Sequence, residues 1–453
     1  MSNTISLFKE LAKIPRESGN EEAIANYLVD FAKNRNLPYY RDSYNNVLIK
    51  KENKDLPCLI LQAHTDMVCV SDYPHFDFAN NPIEVLEKDG YLYANHTTLG
   101  ADNGIGVAQI LNLLDSDIPC NIEAVFTTSE ETTMVGAMNF DTRLLTGNYL
   151  LNLDGFDENT ILTESAAYYD LDMKLQDSNK VNSTKKYTYS ISLSGLLGGH
   201  SGYDIDKGRG NAILLMAQFL KSLHADLISI TGGTKNNVFP SSSEAIICTD
   251  SENIEDCIHL FINQYHDVYP TLSITYENIS HVKECFVDSE RLLDFLINFP
   301  SKAIYYNENH LPTTSVNLGV IRDGYLEIGL RSSRKEEANK VLEDLNSYAK
   351  KYGFAFVQEG YQPGFYSDVN SLMIKLLEKT CSYPTPPLIT LEHITVEVGF
   401  FQEKMPDLQV AIISPKILDA HSTKERVFIE SIKFVDQWLI QFIKEFNQAI
   451  ENN

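Results

Sequence analysis

The chain has 453 residues, of which 43% are hydrophobic and 22% charged, and its formal net charge at pH 7 is −25. This composition is ordinary for a globular protein. The chain is longer than a domain with a single hydrophobic core usually is, so we expect two domains. The strongly negative charge disfavours nucleic acid and anionic membranes as partners, because binding to either depends on positive charge.

Other features of the composition bear on the compartment. No apolar stretch reaches the length that spans a membrane, and residues 1–5 lack the basic and apolar regions of a signal peptide. The seven cysteines are scattered, odd in number and without a C-x-x-C pair, which disfavours a disulfide framework or a cysteine-built zinc site. We therefore expect a reducing compartment, the cytoplasm.

The first part of the chain predicts helices and then strands. Residues 5–34 show the pattern of two amphipathic helices around a turn at 15–20, where Asn20 can cap the second helix. An apolar run at 58–61 predicts a short buried strand, and a hairpin is expected over 83–93 with its turn at Asp-Gly.

Further along, the pattern favours an α/β fold interrupted by a second domain. From a helix predicted over 103–114, strands and helices alternate as in a doubly wound, mostly parallel sheet. A polar stretch at 176–180 marks a nearby boundary. We expect an inserted α+β lid and dimerisation domain with an antiparallel sheet over 167–365, and a discontinuous catalytic domain formed by 1–166 and 366–453.

Acidic and histidine side chains stand where several of these predicted strands end. They are His64, Asp102, the neighbours Glu130 and Glu131, Asp154 and His421. In open α/β sheets, ligands bind in the crevice beyond the carboxyl ends of the strands. A set of His, Asp and Glu at those ends suits a two-metal hydrolytic site, and its donors favour Zn²⁺ or Mn²⁺ over a thiolate-preferring metal.

Two pairs within this set suggest distinct roles. Asp66 follows His64 by two residues, so in an extended segment its carboxylate can accept the second ring N–H of His64 and fix its tautomer. Glu130 and Glu131 are adjacent, so one strand end cannot direct both side chains equally well at one metal. One of the two is then free to act as a base toward water.

A glycine-rich segment covers residues 195–202 and contains His200. It is a poor phosphate loop, because no Lys-Ser/Thr follows and no helix begins directly after it. A purely structural turn is the alternative to a functional role for this segment.

Together, these motifs resemble a known family. Its marks are His64-Thr65-Asp66-Met67-Val68, the segment 98–104, Glu130-Glu131, Asp154 and the segment 198–202, which match in order the motifs of the dinuclear zinc M20 metallopeptidases. The aminoacyl-histidine dipeptidase (peptidase D) branch is the most similar. The resemblance extends from the N-terminal helix to the segment around His421.

The resemblance implies a role for each metal-type ligand. Asp102 would bridge two ions, zinc by expectation, with manganese or cobalt as alternatives. His64 and Asp154 would hold one ion, and Glu131 and His421 the other. Substitutions near the ligands, at His96, Thr132 and Asn237 among others, remove none of them but fall where relatives differ.

The remaining roles also follow from the resemblance. Glu130 would be the catalytic base, with Asp66 beside it. His200 would help to hold the oxyanion in the active site of the other subunit of a homodimer. Arg331 would bind the carboxylate of the substrate, which its planar fork fits.

We therefore expect a cytoplasmic, metal-dependent dipeptidase that acts on small peptides with a free N-terminus, of the Xaa-His type. Two alternatives stay open. One is another amide hydrolase of the same family, a deacylase or a carnosinase-like enzyme. The other is a catalytically silent metal-binding protein, which the presence of Glu130 beside the full ligand set disfavours.

Overall fold

A computed structural model of the chain describes residues 3–177, 179–279 and 284–451. The chain divides into two compact units. The first comprises residues 1–165, 365–391 and 396–453, and the second comprises residues 166–364 and 392–395. The chain re-enters the first unit at residue 365, and residues 392–395 then belong to the second unit again. No feature of the sequence indicates this second return.

Eleven α-helices are present in the described residues. They are α1 (Asn3–Leu11), α2 (Glu22–Asn34), α3 (Ala101–Leu114), α4 (Val135–Asn139), α5 (Ala212–Ser222), α6 (Glu255–Tyr265), α7 (Ser289–Ile297), α8 (Lys335–Lys351), α9 (Leu372–Thr380), α10 (Val398–Lys404) and α11 (Ile429–Glu451). None of them is long and apolar enough to cross a membrane.

Strands β1 to β11 are β1 (Tyr39–Arg41), β2 (Val47–Lys51), β3 (Cys58–His64), β4 (Val85–Lys88), β5 (Tyr91–Ala94), β6 (Asn121–Thr127), β7 (Tyr149–Asn152), β8 (Thr160–Ser165), β9 (Ala167–Leu175), β10 (Lys180–Asn182) and β11 (Tyr187–Ser194). Strands β12 to β23 are β12 (Asp226–Gly232), β13 (Ser243–Thr249), β14 (Ser273–Asn278), β15 (Glu284–Phe286), β16 (Lys302–Tyr306), β17 (Pro312–Arg322), β18 (Tyr325–Ser332), β19 (Phe354–Gln362), β20 (Leu388–Glu392), β21 (Gln409–Ile412), β22 (Ile417–Leu418) and β23 (Arg426–Phe428).

The first unit is built on an eight-stranded sheet in the order β1-β2-β6-β3-β7-β21-β8-β20. Its centre is parallel: β3 pairs in parallel with β6 and β7, and β7 pairs in parallel with β21. Strand β3 is buried at six of its seven positions, as expected for a parallel strand covered on both faces. Apolar side chains from α1, α2, α3, α9 and α11 form one core with this sheet. The expected α/β class with a mostly parallel sheet is confirmed.

The second unit contains a nine-stranded sheet with the path β14-β11-β13-β12-β17-β18-β9-β19, to which β16 adds by pairing with β17. All its pairings are antiparallel. Strand β9 alternates between buried and less buried residues, which is the pattern of an antiparallel sheet with one face on a core. Residues of α5, α7 and α8 belong to that core.

Local expectations fare differently. The hairpin over 83–93 is confirmed, since β4 and β5 pair around Asp89 and Gly90, both with positive φ as the tight turn requires. The polar stretch at 176–180 belongs to the second unit: it follows β9 and ends at Lys180, the first residue of β10, and Ser178 in it is outside the described residues.

The expected cap of the second helix is wrong. Glu21, not Asn20, occupies the N-cap position of α2, and it makes no side-chain capping bond. Its carboxylate accepts hydrogen bonds from the amides of Gly19 (2.9 Å) and Ser129 (3.1 Å). The contact with Ser129 joins the start of α2 to the turn that carries Glu130. A hydrogen bond between distant parts of the chain therefore outweighs the local preference for an Asn cap.

Candidate active site

The parallel strands of the first unit bring several candidate ligands to one edge of the sheet. His64 is the last residue of β3 and pairs in register with Thr127, the last residue of β6. Asp154 follows the end of β7 by two residues, and Glu130 follows the end of β6 by three. Because parallel strands end at the same edge, side chains from separate parts of the sequence converge there.

Asp102 lies between the two candidate histidines. Its Oδ1 is 3.0 Å from Nε2 of His64, and its Oδ2 is 3.0 Å from Nε2 of His421. Nε2 of His64 is 3.6 Å from Asp154 Oδ1, and Nε2 of His421 is 3.0 Å from Glu131 Oε2. The five candidate ligands therefore form one continuous cluster with Asp102 at its centre.

Glu130 belongs to the same cluster. One ligand-type atom from each of His64, Glu130 and Asp154 can be chosen so that all lie within 4.8 Å of one another, and the same holds for His64, Asp102 and Glu131. The adjacent glutamates thus belong to different groups, as expected if they do different work.

Asp102 stands at the start of α3 in an irregular backbone. Gly100 has φ of 68°, and Asp102 and Asn103 have non-helical φ/ψ within the first turn. A Cβ atom on Gly100 would lie 2.3 Å from Arg16 Nη2, so a side chain at this position would collide with a buried guanidinium. Positive φ and close packing together explain the glycine.

Asp66 does more than the sequence predicts. The nearest group to Nδ1 of His64 is the main-chain carbonyl of Asp66 at 3.1 Å, and Oδ1 of the same residue lies at 3.4 Å. The carboxylate also accepts hydrogen bonds from the amides of Glu130 (3.0 Å) and Glu131 (3.2 Å) and from Ser18 Oγ (2.7 Å). The Asp66 carboxylate therefore fixes the turn that carries the glutamate pair. The main-chain carbonyl of Asp66 is the closer partner of His64 Nδ1, so it fixes the tautomer of that ring.

Burial and hydrogen bonds within the cluster shift the pKa values of its side chains. Burial raises the pKa of Glu130 well above its usual range and that of Glu131 to about 7. Burial also opposes ionisation of Asp102, but hydrogen bonds from His421 and His64 outweigh it and lower its pKa. Hydrogen bonds to Asp102 and Glu131 raise the pKa of His421 to about 11.

These donors fit divalent cations. The Nε2 atoms of both imidazoles face carboxylate oxygens. Without a cation, the rings can offset the carboxylate charge only by taking up protons. A divalent cation between the same atoms would bind the neutral rings and neutralise the carboxylates. Nitrogen and oxygen donors without thiolate are the set that Zn²⁺, Mn²⁺ or Co²⁺ accepts.

Three further buried charged residues, Arg16, Glu397 and Glu425, surround this cluster. Glu397 is fully buried: its Oε1 accepts hydrogen bonds from Gln62 and from Thr127 Oγ1, and its Oε2 has no partner among the described residues. Burial raises the pKa of Glu397 to about 7. Arg16 and Glu425 contact the main chain beside the ligands. The groups they contact are far from them in sequence, which explains why spacing alone does not reveal their roles.

The second unit carries its own polar cluster around Arg331. Arg331 is 5% exposed, and its guanidinium lies 4.7 Å from the ring centre of Tyr168, the residue opposite it on β9. Arg331 Nη2 is 3.2 Å from Nε2 of His200, and Thr395 Oγ1 is 3.4 Å from Nη1. Burial lowers the pKa of Arg331 to about 10, and among the described residues no carboxylate pairs with it.

His200 is held neutral by its surroundings. Burial and the nearby Arg331 charge lower its pKa to about 4. Asp204 closes the turn by accepting the His200 amide at 2.9 Å, and a Cβ on Gly199, whose φ is +132°, would lie 2.6 Å from that carboxylate. The glycine-rich segment is thus a tight turn that presents one imidazole beside one unpaired guanidinium.

Comparisons with known proteins agree with the motifs. The sequence profile described as "Peptidase family M20/M25/M40" matches residues 60–445. The chain is 30% identical over 471 aligned positions to the cytosol non-specific dipeptidase of Escherichia coli (strain K12), with 97% of this chain and 96% of that protein covered.

Solved structures show the same relationship. Aminoacylhistidine dipeptidase from Vibrio alginolyticus has a TM-score of 0.85 and 28% identity, covering 98% of this chain and 96% of that one. A tripeptidase from Staphylococcus aureus shares the fold with a TM-score of 0.58 at 17% identity, covering 98% of each chain. From the match over residues 60–445 and the relative at 30% identity, the chain belongs to peptidase family M20/M25/M40 and is a metallopeptidase.

Proposed function

We propose that this metallopeptidase is a dipeptidase that hydrolyses dipeptides with a free N-terminus, including Xaa-His. The observation that carries the proposal is the position of Asp102, whose two oxygens each lie 3.0 Å from a different imidazole. The names of the Escherichia coli and Vibrio alginolyticus proteins support dipeptides and aminoacyl-histidine dipeptides, respectively, as substrates. The former also supports a cytosolic location.

The five clustered ligands would hold two divalent ions, with zinc as the first candidate. Asp102 would bridge them. His64 and Asp154 would complete one position, and Glu131 and His421 the other. When bound, such ions polarise the substrate carbonyl and make water a better nucleophile at neutral pH.

Glu130 is the proposed base. Asp66 holds its main chain through the 3.0 Å bond to the Glu130 amide, while the Glu130 side chain lies in the group with His64 and Asp154. It would take a proton from the attacking water and return it to the leaving amine, the two tasks of a general acid–base residue. Asp66 therefore has a positioning role toward both glutamates.

Arg331 is proposed to bind the free carboxylate of the dipeptide. It is a buried guanidinium without a carboxylate partner among the described residues, and two N–H groups of its fork suit a carboxylate. His200, 3.2 Å from Arg331, is proposed to donate to the oxyanion. A neutral imidazole has one N–H for this purpose, and the pKa of about 4 keeps the ring neutral at pH 7.

We further propose that the enzyme is a homodimer in which His200 acts in the active site of the partner subunit. The support is the motif resemblance to dimeric relatives that share active sites. The tight turn that Asp204 closes fixes the backbone of His200, which is compatible with such a role.

The first prediction tests the base. Glu130→Gln keeps the size of the side chain but cannot accept the proton, so kcat on a dipeptide should fall by at least about 10²-fold while both ions stay bound. Steady-state kinetics and elemental analysis of the same sample measure the two quantities. The neighbouring change Glu131→Gln is the matched control, and it should lower the metal content. Near-normal turnover by Glu130→Gln with both ions present would assign the base elsewhere.

The second prediction tests recognition of the carboxylate. Replacing the free carboxylate of the substrate by an amide should lower kcat/KM about 10- to 100-fold, since hydrogen bonds to charged groups contribute about 1.5–3 kcal/mol. Arg331→Ala should lower the rate on the acid and remove this difference. Arg322→Ala, which removes an exposed arginine of the same sheet, should preserve it. Equal rates on acid and amide in the unchanged enzyme would refute the assignment.

The third prediction tests the shared active site. His200→Ala and Glu130→Gln should each be nearly inactive alone. In a mixed dimer, one site combines intact Glu130 with the partner subunit's intact His200, and the other site lacks both. Random exchange makes about half of the dimers mixed, so about a quarter of normal activity should return.

Co-expression with two affinity tags isolates the mixed dimer and allows its activity to be measured directly. If the purified mixed dimer is as inactive as its two parents, His200 does not act across a subunit interface.

A further inference from the structure

Glu425 accepts hydrogen bonds from four consecutive main-chain amides. Its Oε2 receives those of Leu99 (2.7 Å) and Gly100 (2.9 Å), and its Oε1 receives those of Ala101 (2.7 Å) and Asp102 (3.3 Å). The residue is 2% exposed. Successive amides that point to one side form a concave anion site, and each hydrogen bond to an ionised carboxylate is charge-assisted. The turn that ends in Asp102 is therefore wrapped around one buried side chain.

Arg16 holds the same turn through its carbonyl groups. Its Nη2 donates to the carbonyl of Gly100, and its Nη1 lies 3.2 Å from each of the carbonyls of Thr65 and Asp66. One guanidinium thus joins the segment after His64 to the turn before Asp102.

Arg16 is 3% exposed, and Glu425 is the acidic group that most strongly offsets the cost of burying its charge. Gly100 contributes its amide to Glu425 and its carbonyl to Arg16. The two charged side chains consequently act on opposite polar groups of one peptide segment. Removing either would leave buried main-chain groups without partners, which is costly in a site closed to water.

The connections of the two proposed metal positions are unequal. His64 and Asp154 stand at the ends of β3 and β7, which pair within the parallel sheet. His421 lies on a loop, four residues before Glu425 in sequence, with its side chain 46% exposed. Glu425 belongs to the same loop as His421 and accepts the amide of Asp102. This contact connects the loop of His421 directly to the residue that carries the bridging carboxylate.

We propose that Glu425, assisted by Arg16, is a positioning residue that sets the bridging carboxylate of Asp102 against His421, so that the ion held by His421 and Glu131 depends on Glu425 more than the ion held by His64 and Asp154. The proposal rests on the two-ion centre of the proposed function. Glu425 acts through the main-chain amide of Asp102. Arg16 acts through the carbonyls of Thr65, Asp66 and Gly100, which lie beside the ligands in sequence.

The test is a titration of the metal-free protein with Zn²⁺ in competition with a chelator. Glu425→Gln replaces one acceptor oxygen by an amide NH2 group that faces main-chain N–H groups, so the turn loses part of its anchor without a change in size. The first ion should bind with an affinity close to that of the unchanged protein, and the second should bind about 10- to 100-fold more weakly, the range for residues that orient metal ligands.

Glu123→Gln is the matched control. Glu123 is also a buried carboxylate that accepts main-chain amides, those of Thr146 (2.8 Å) and Gly147 (3.2 Å). It lies near the start of β6, whereas the candidate site is at the end of that strand. This variant should lose stability in thermal unfolding but keep both Zn²⁺ affinities, which separates positioning from general destabilisation.

Unchanged affinities for both ions in Glu425→Gln would overturn the proposal. Equal weakening of both ions, or the same second-ion loss in Glu123→Gln, would overturn it as well. Arg16→Lys is a second variant, to be used if Glu425→Gln does not fold. It keeps the positive charge but removes the forked guanidinium, and it should lower the affinity for the second ion.

Substrate is absent from these titrations, so they are independent of the dipeptidase assay. Two-ion binding by an unchanged protein that does not cleave dipeptides would reject the proposed substrate and leave the role of Glu425 to be decided by the variants. Binding of a single ion by the unchanged protein would reject the two-ion centre and this proposal together.

Discussion

The cost of enclosing carboxylates away from water is the constraint on which the candidate site of the first unit depends. Asp102 and Glu397 are buried, and Glu130 and Asp154 are partly buried, at one edge of a parallel sheet, and burying a charge is costly unless it is paired. Asp66 and Glu425 meet this cost with main-chain amides. Asp102 meets it with two imidazoles. Two divalent cations, held as proposed, would offset the charges of Asp102, Asp154 and Glu131, whereas Glu130 and Glu397 have raised pKa values.

Buried amide and hydroxyl side chains lie close to the ligands in sequence. Their hydrogen bonds connect the ends of neighbouring strands. Gln62 on β3 donates to Thr127 Oγ1 at 3.0 Å and accepts from the side-chain amide of Asn152 on β7. Gln62 precedes His64 by two residues, and Asn152 precedes Asp154 by two. Polar networks of this kind are rigid when their members are satisfied, so they transmit the register of the sheet to the ligands. Glu397 joins the network from a distant part of the chain through Gln62 and Thr127.

Much of the site is predictable because its ligands follow short apolar strands. The run before His64 and the run before Asp154 mark central parallel strands, and the ends of such strands meet at one edge whatever their order in sequence. The family motifs then suggest a role for each ligand. The α/β class and the tight hairpin at Asp89-Gly90 follow from equally local patterns.

What the sequence does not reveal are contacts between side chains and distant main-chain amides. Nothing about residues 99–102 indicates that their amides point at Glu425, more than 300 positions away, because amides are present at every residue except proline. Glu21 illustrates the same limit: it is placed as a helix cap but its carboxylate binds the amide of Ser129. Similarly, residues 392–395 join the second unit through contacts such as the 2.7 Å bond between His393 Nε2 and Ser315 Oγ, for which no periodic pattern exists.

X-ray absorption spectroscopy at the zinc edge, on protein loaded with two Zn²⁺ per chain, measures whether Asp102 bridges two ions as proposed. We expect nitrogen and oxygen neighbours at about 2.0–2.2 Å and a second zinc at about 3.5–4 Å. Full loading with no zinc neighbour at that distance, or with sulfur among the ligands, would contradict this proposal.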